Sequence, residues 1–519
     1  MSRRRAAALI ALGALALLAS YAPFRIPPLS FVAVTPAVLL LLDATSARDP
    51  RRAFRLGFWY GVATNGLVLY WMVVALWHFT AFAALGYFAT IAALGLLYGL
   101  LFWFIVRVRL ALPAVPLAAV FPIAWTALEW LIGHLSDIRF PWLGLGTSLA
   151  DGPVLVQWAD LAGARGITLW LAWCNVAIVA AFLGKGEEGR GKGWMIARDL
   201  SPVVATIVLA IGYGAWRMKT LPTRDIGLVG MIQPNEGFDE KWVQARADTI
   251  VAKLLALTRR VRAQYRPDVI FWPEVAAPGY LEQERAWDDS IAQLARESHT
   301  PMLVGALHVE WLSGGAARSY NAAYFYDSTG TWRRWPIYSK HYLVPVVERV
   351  PFVPVSWFRR VPGLARWSGG FGRGRDLPVY PTGIGRFGVL ICYESAFEDL
   401  PRGYRRAGAD FLVNITNDAW FGRTVAPYQH ASHLVLRAIE TRMGVARAAN
   451  SGVSELVDPL GHVSDATELD HEAIVGARLR TSDVITLYVR FGDWVGTACV
   501  IVTAGLALVL LWLRWRRVP

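Results

Sequence analysis

Cysteine is scarce: Cys174, Cys392 and Cys499 are the 3 in 519 residues, too few for a disulfide framework. Charge is scarce as well. Only 18% of residues are Asp, Glu, Lys or Arg while 55% are hydrophobic, which excludes a chain kept disordered by its own charge. His341 and His430 stand apart, without the paired spacing that zinc needs; neither a metal nor another cofactor is expected, and Asp418 reads as ordering its loop. The glycine-rich run from Gly369 to Gly374 opens no helical pattern, so it reads as a flexible loop and not as a phosphate cradle. There is no internal repeat and no low-complexity tract.

What is present is apolar length, with 24 Trp and a mean hydropathy of +0.37. Runs suited to crossing a bilayer, roughly 17–25 residues each, extend from Ala6 to Ala22, Pro28 to Leu42, Phe54 to Trp77, Ala81 to Val106, Pro113 to Ile132, Gly166 to Leu183, Val203 to Arg217 and Trp494 to Leu513. The second and seventh are short. Each would have to tilt, thin the bilayer or re-enter it.

Basic residues cluster on alternate connections, as the excess of Lys and Arg on cytoplasmic flanks requires. Arg3, Arg4 and Arg5 precede the first span; Arg48, Arg51, Arg52 and Arg55 follow the second; Arg107 and Arg109 follow the fourth. Lys185, Arg190, Lys192 and Arg198 follow the sixth, and Arg514, Arg516 and Arg517 end the chain. The opposite connections hold only Arg25, Arg139 and Arg165. Both termini are therefore expected in the cytoplasm and the segment after the seventh span outside it. These flanks carry most of the net charge of +13, so the basic balance is topological and no nucleic-acid partner is expected. The Arg-rich start and Ala19-Ser20-Tyr21-Ala22 also fit a cleaved secretory signal, against which the following spans and the alternation argue.

From about Thr220 to Arg490 short apolar runs alternate with amphipathic stretches, the pattern of an α/β or layered α+β domain. The expected organisation is a membrane domain over 1–219, a catalytic domain over 220–490, and a last span with a basic tail over 491–519. Strands are expected at Ile226 to Ile232, Val269 to Trp272, Met302 to Val309, Ala322 to Tyr326, Gly388 to Cys392, Phe411 to Ile415 and Ser454 to Val457, and helices at Glu240 to Tyr265, Glu282 to Glu297 and Gln429 to Met443.

Three polar residues stand where strands end. Glu274 follows Val269-Ile270-Phe271-Trp272-Pro273, Lys340 follows Ile337-Tyr338-Ser339, and Cys392 closes Phe387-Gly388-Val389-Leu390-Ile391. Alone, these read as a loop carboxylate, a surface charge and a packed thiol. Together they permit nucleophilic acyl transfer, with the thiolate as nucleophile, a carboxylate to move its proton and an ammonium to steady an oxyanion.

Phe271-Trp272-Pro273-Glu274, Tyr338-Ser339-Lys340-His341 and Ile391-Cys392-Tyr393-Glu394-Ser395 resemble, in this order, the nitrilase superfamily, whose members use a Glu-Lys-Cys triad in an αββα sandwich. With seven spans before and one after, the chain looks like the membrane-embedded branch, the bacterial apolipoprotein N-acyltransferases. Gln233-Pro234-Asn235, the run from Asn414 to Gly422, Arg447 to Gly452, Phe140 to Leu143 and Asp151-Gly152-Pro153 match as well. The resemblance implies a ping-pong reaction in the inner membrane, catalysed on the periplasmic side by a monomer. Cys392 takes an acyl group from a phospholipid and passes it to the α-amine of a diacylglyceryl cysteine on a lipoprotein. By that likeness Glu274 is the base and acid and Lys340 the stabiliser. Glu348 supports Lys340, Tyr393, Glu394 and Asn417 line or support the site, and Trp420 is a lid or acyl contact.

There is one departure from the family pattern. The family's Leu-Val-Pro-Phe-Gly-Glu is here Leu343-Val344-Pro345-Val346-Val347-Glu348, stiffer at χ1 and without the glycine. Trp357, Phe358, Trp367, Phe371 and Trp420 read either as aromatics dipping into the interface or as core. Two other functions fit parts of the pattern: a tethered amidase that passes the acyl group to water, and a transporter, against which the scarcity of ionisable residues in the spans argues, Glu129 and His78 lying near span ends.

Overall fold

A computed structural model describes residues 1–77, 83–183, 192–313, 315, 317–345, 347–349, 351–352 and 370–516. Two compact units emerge: Met1–Leu135, Phe140–Thr220 and Arg490–Pro519 form the first, and Ser136–Arg139 with Leu221–Val489 the second.

The first unit is helical. Its helices are α1 (Arg3–Ser20), α2 (Pro27–Ser30), α3 (Thr35–Ser46), α4 (Pro50–Val68), α5 (Trp71–Trp77), α6 (Ala83–Ala111), α7 (Leu117–His134), α8 (Pro153–Val156), α9 (Ala159–Leu183), α10 (Lys192–Thr220) and a C-terminal helix, Trp494–Trp515. Caps mark their starts: Ser2 Oγ accepts from the Arg5 N–H, Asp49 from Arg52 with Pro50 in the first turn, and Asp493 from Gly496, each satisfying a donor the helix cannot. Among the described residues six spans are long and apolar enough to cross a membrane, or seven when α4 and α5, bent by 61°, count as one.

Four expectations change in this unit. The run from Pro28 to Leu42, built of α2 and α3, lies in a 20-residue candidate span, Pro27–Ser46, and so is not short, and the run from Phe54 to Trp77 breaks between α4 and α5. The run from Val203 to Arg217 is not short, because α10 has 29 residues, about 43 Å at 1.5 Å each, so it needs no bilayer thinning. Arg165 is not a connection residue. It lies in α9, two residues past a break at Gly163 (φ 67°), and pairs at 3.0 Å with buried Glu129, which also accepts from Thr168, Trp125 and the Leu145 N–H. A buried charge is tolerated in such a span because it is paired and its lone pairs are occupied. Cys499 of the C-terminal helix packs with Ala127 of α7 and Ala162 of α9, as a small apolar side chain.

The second unit is a two-sheet sandwich between helices. The strands are β1 (Arg224–Gln233), β2 (Val269–Phe271), β3 (Ala277–Tyr280), β4 (Met302–Trp311), β5 (Ala317–Tyr326), β6 (Tyr338–Ser339), β7 (Tyr380–Thr382), β8 (Gly385–Ile391), β9 (Phe411–Thr416), β10 (Gly444–Ala449), β11 (Glu455–Val457), β12 (Val463–Ser464) and β13 (Ala473–Thr481). One sheet runs β13-β1-β2-β4-β5-β6, with β3 on β4, and the other β12-β11-β10-β9-β8-β7. Helices α11 (Phe238–Lys241), α12 (Ala247–Tyr265), α13 (Arg285–Ser298), α14 (Asp399–Arg406) and α15 (Ala426–Thr441) complete the layers.

Alternation along a strand sends successive side chains to opposite faces, and β2 shows the result. Phe271 meets Phe387 of the other sheet at 5.6 Å between ring centroids, within an aromatic layer that includes Phe325 and Tyr380. Trp272 turns the other way, into a core with Ile250 and Leu254 of α12 and Ile291 of α13, and its indole N–H donates to Thr258 Oγ1 at 2.9 Å. The periodicity of Trp287, Ile291, Leu294 and Ala295 lets α13 cover the same sheet.

The parallel β2 and β4 bring Gly305 beneath the turn that carries Glu274. A Cβ on Gly305 would lie 2.2 Å from the Pro273 carbonyl oxygen and 3.0 Å from Glu274 Cα, where only backbone can yield. Gly305→Ala is therefore expected to lower the stability of this unit by about 1–3 kcal/mol, read as a fall of several degrees in its thermal midpoint.

Candidate active site

Two of the elements that deliver site residues end under backbone strain. Cys392 opens a short 3-10 turn, Cys392–Ala396, directly after β8, with φ at 51°, and Val275, next to Glu274, has φ at 43°. A non-glycine residue there costs on the order of 1–3 kcal/mol, and such a conformation persists only where the surroundings impose it.

The surroundings do so through Glu394, which is fully buried. Its Oε2 accepts from the Ile391 N–H at 2.6 Å and the Tyr338 hydroxyl at 2.7 Å, and its Oε1 accepts from the N–H groups of His341 at 2.6 Å and Tyr342 at 3.2 Å. Both oxygens are thus spent on tying the Cys392 turn to the segment after Lys340. Burial raises its pKa, against the opposing pull of His341, the Ile391 N–H, Tyr338 and Lys340.

Lys340 follows β6 and is 1% exposed. Its Nζ donates to Glu274 Oε1 at 3.2 Å and to Glu348 Oε1 at 2.9 Å. Asn321 of β5 spans the same two carboxylates, its Nδ2 lying 2.7 Å from Glu274 Oε1 and 3.0 Å from Glu348 Oε1. The other oxygen of Glu274 accepts from the Asn417 N–H at 2.9 Å, and Glu348 Oε2 from the Val344 N–H at 2.8 Å. Glu348 thus reaches Lys340 despite the altered loop; Val347 is described there, while Val346 lies outside the described residues. Asn417 contributes its main chain, and its side chain accepts from Asn450 Nδ2 at 2.9 Å.

Charge decides the resting state. Burial opposes the Lys340 ammonium, but Glu274, Glu348 and Cys392 outweigh it and hold its pKa well above the ordinary value. Burial pushes the Cys392 thiol well up, Glu274 and Asp418 add to this, and Lys340 and the Thr416 hydroxyl oppose it. The resting thiol is therefore neutral, within electrostatic reach of a carboxylate that can take its proton and an ammonium that can steady the charge left behind. Passing that proton to Glu274 leaves the net charge of the buried group unchanged, which is the economical way to make a thiolate in a poorly solvated place.

Sequence reasoning missed three supports. Lys241 is buried, and its Nζ donates to the Glu274 carbonyl oxygen at 2.8 Å; burial draws its pKa down to about 8 against Glu274 and Glu236. Asn321 stands one residue before an expected strand, Ala322 to Tyr326, with no signal of its own. His430 is not isolated: with Arg447 it holds Asp418, at 2.9 and 2.8 Å, beneath Thr416, and Arg447 also bonds Asn414, whose Nδ2 reaches the Leu390 carbonyl at 3.1 Å. Among the described residues no group of His, Cys, Asp and Glu is arranged to hold a metal ion. Within the glycine run Gly374 is packed backbone: its N–H donates to the Lys340 carbonyl at 2.9 Å, and a Cβ there would lie 1.8 Å from the Ser339 oxygen, while Gly369 lies outside the described residues. Trp420 is half-buried and stacked on Phe421 at 4.8 Å. Trp357, Phe358 and Trp367, like His78, lie outside the described residues, and Phe371 donates its N–H to the Glu348 carbonyl at 3.1 Å.

Residues 228–494 match the carbon-nitrogen hydrolase family, which places this two-sheet sandwich, with a thiol, a carboxylate and a lysine at its strand ends, in the nitrilase class. Residues 13–177 match the apolipoprotein N-acyltransferase N-terminal domain. The chain is 34% identical over 490 residues to an apolipoprotein N-acyltransferase of Geobacter metallireducens, covering 93% of this chain and 90% of that protein. It is 32% identical over 526 residues to one of Bradyrhizobium diazoefficiens, covering 94% and 92%. The chain belongs to the apolipoprotein N-acyltransferase family.

Proposed function

We propose that this chain completes lipoprotein maturation by moving a fatty acyl group from a membrane phospholipid, through a thioester on Cys392, to the α-amine of an N-terminal diacylglyceryl cysteine. Glu274 takes the Sγ proton as sulfur attacks the ester carbonyl. Lys340 faces the oxyanion of the tetrahedral intermediate. As the C–O bond breaks, Glu274 returns the proton to the departing lysophospholipid oxygen. The α-amine then attacks the thioester, Glu274 accepts its proton, the C–S bond breaks, and the proton goes back to sulfur. Glu348 and Asn321 aim Lys340 and Glu274, and Trp420 covers the acyl chain.

The observation that carries this reading is the placement of buried Lys340 between Glu274 and Glu348, with the buried Cys392 thiol within electrostatic reach of Glu274 and Lys340. The apolar helices support a multi-pass membrane protein, and the alternating basic flanks favour the inner membrane with residues 220–490 on the periplasmic side. Lipid-anchored substrates make that placement sensible, since drawing an acyl chain out of a bilayer costs about 0.8 kcal/mol per CH₂. All the groups invoked lie on one chain, which suits a monomer.

Intact-mass measurement of purified protein with a defined phospholipid tests it. Wild type is expected to gain one acyl group, lose it when a diacylglyceryl lipopeptide is added, and yield N-acylated peptide, while Cys392→Ser gains none. Free fatty acid without N-acylated peptide would make the protein a hydrolase instead.

A further inference from the structure

Four residues that follow α7 in the chain, Ser136–Arg139, belong to the second unit, and their contacts are with the loops of the acyl-transfer site. The Tyr393 hydroxyl, on the residue next to the nucleophile, donates to the Arg139 carbonyl oxygen at 2.7 Å. The Arg139 guanidinium lies 5.3 Å from the ring centre of Tyr342 and donates to its hydroxyl at 3.2 Å; Tyr342 is two residues past Lys340. The Tyr342 ring stacks on Phe397 at 4.0 Å, and its hydroxyl also bonds Asp399. Asp137 accepts from the Phe352 N–H at 3.1 Å and from Arg373 at 2.7 Å, with Arg349 at 3.8 Å. Arg349 directly follows Glu348, and Phe352 is held at φ 60°, a conformation that needs outside support.

We infer that Ser136–Arg139 is a positioning strap for the acyl-transfer site, with Asp137 and Arg139 as positioning residues that keep the Lys340–Glu348 loop in register with the Cys392 turn. This rests on the proposed function for the reaction affected, and on geometry alone for the part that moves. The nucleophile turn and the lysine loop sit on different sheets, one after β8 and the other after β6. Glu394 joins them from the nucleophile side through the N–H groups of His341 and Tyr342. The strap is a second, independent link between them and also reaches the residues after Glu348. Two links hold a relative orientation where one would leave a pivot, and small displacements of reacting groups cost rate heavily. Asp137 has the charge pattern of a working anchor: the Phe352 N–H foremost, then Arg373 and Arg349, hold its carboxylate below the ordinary pKa against the effect of burial.

The test compares Asp137→Ala, Asp137→Asn and Arg139→Ala in the full-length protein with Asp225→Ala, which removes an exposed ion pair to Arg478 far from these loops in sequence. Two rates are measured: Cys392 acylation by phospholipid, and Cys392 alkylation by iodoacetamide across pH. Asp137→Ala is expected to slow acylation at saturating phospholipid at least tenfold with little change in the half-saturating concentration. Asp137→Asn, which still accepts from Phe352, falls between it and wild type, and Asp225→Ala matches wild type. Because Lys340 favours the thiolate, loosening its loop shifts the alkylation profile to higher pH. A merely structural contact would change the yield of folded protein and not that profile. Should Asp137→Ala fail to fold, Arg139→Ala, which keeps the main-chain bond to Tyr393, carries the comparison. Acylation within twofold of wild type together with an unmoved profile would overturn the strap. A wild type that forms no thioester would instead sink the proposed function, and the alkylation profile would then decide the strap alone.

Discussion

Glu274→Gln is expected to slow acylation of Cys392 by about a thousandfold, within the range for loss of a general acid and base, while making the thiol more reactive toward iodoacetamide at pH 9. The two effects have opposite signs for one reason. Glu274 accepts the thiol proton during transfer, yet at rest its negative charge is a leading cause, after burial, of the raised thiol pKa. Removing the charge lowers that pKa and exposes more thiolate at a given pH. A glutamine oxygen can still meet Lys340 and Asn321, so the fold is retained. Loss of acylation together with slower alkylation would show that Glu274 shapes the site without serving as its base. Comparing single-turnover acylation with the alkylation rate, both on the same preparation, separates these outcomes.

Lys340→Met should damage both rate and stability, with acylation reduced by about 10²–10³ through loss of oxyanion stabilisation and stability reduced by about 3–5 kcal/mol. The side chains of Glu274 and Glu348 are 8% and 10% exposed, and without the ammonium they face each other with only Asn321 between them. A fall of about 10 °C in the thermal midpoint of the unit is expected. The pH dependence has a definite sign. Lys340 is held above its ordinary pKa, so its contribution to stability is complete at neutral pH and is lost only as pH rises past 10.5 and through the raised value. The gap between wild type and Lys340→Met should therefore be full at pH 7 and 8 and close in strong alkali. Alkylation of Cys392 should slow in this variant, the reverse of Glu274→Gln, because Lys340 favours the thiolate. A Lys340→Met protein of unchanged midpoint would mean that the two carboxylates are better solvated than their burial indicates.

Most of the central strands could be read directly. Apolar runs mark β1, β2, β4, β5, β8, β9 and β11, because a strand buried on both faces needs little but β-branched and aromatic residues. β10 has no such mark, since its centre is Arg447, a residue that belongs in a core only when Asp418 and Asn414 receive it. β13 does carry a strand signal: Val475, Ala477, Leu479 and Thr481 alternate inward with Arg478 and Arg480 outward. β3, β6, β7 and β12 have two to four residues, too few for any period to show. In the first unit the charge count placed Arg165 in a connection because α9 starts well before its apolar run.

The chain's own order of residues determined what did not depend on distant partners: which stretches are apolar enough for a membrane, where strands stop, and that a thiol, a carboxylate and a lysine each stand at a strand end. Hydropathy, charge and turn chemistry are local, so they can be read in one dimension. Tertiary structure decided everything that required two strands to arrive at one place. It set Lys340 between Glu274 and Glu348, residues 66 and 8 positions away, and added Asn321 and Lys241, which nothing in their neighbourhoods marked. It also brought Arg139 to Tyr393 across 254 positions. Such contacts follow from sheet register and loop closure, and their energy appears only once burial has removed the water that would otherwise satisfy each group separately.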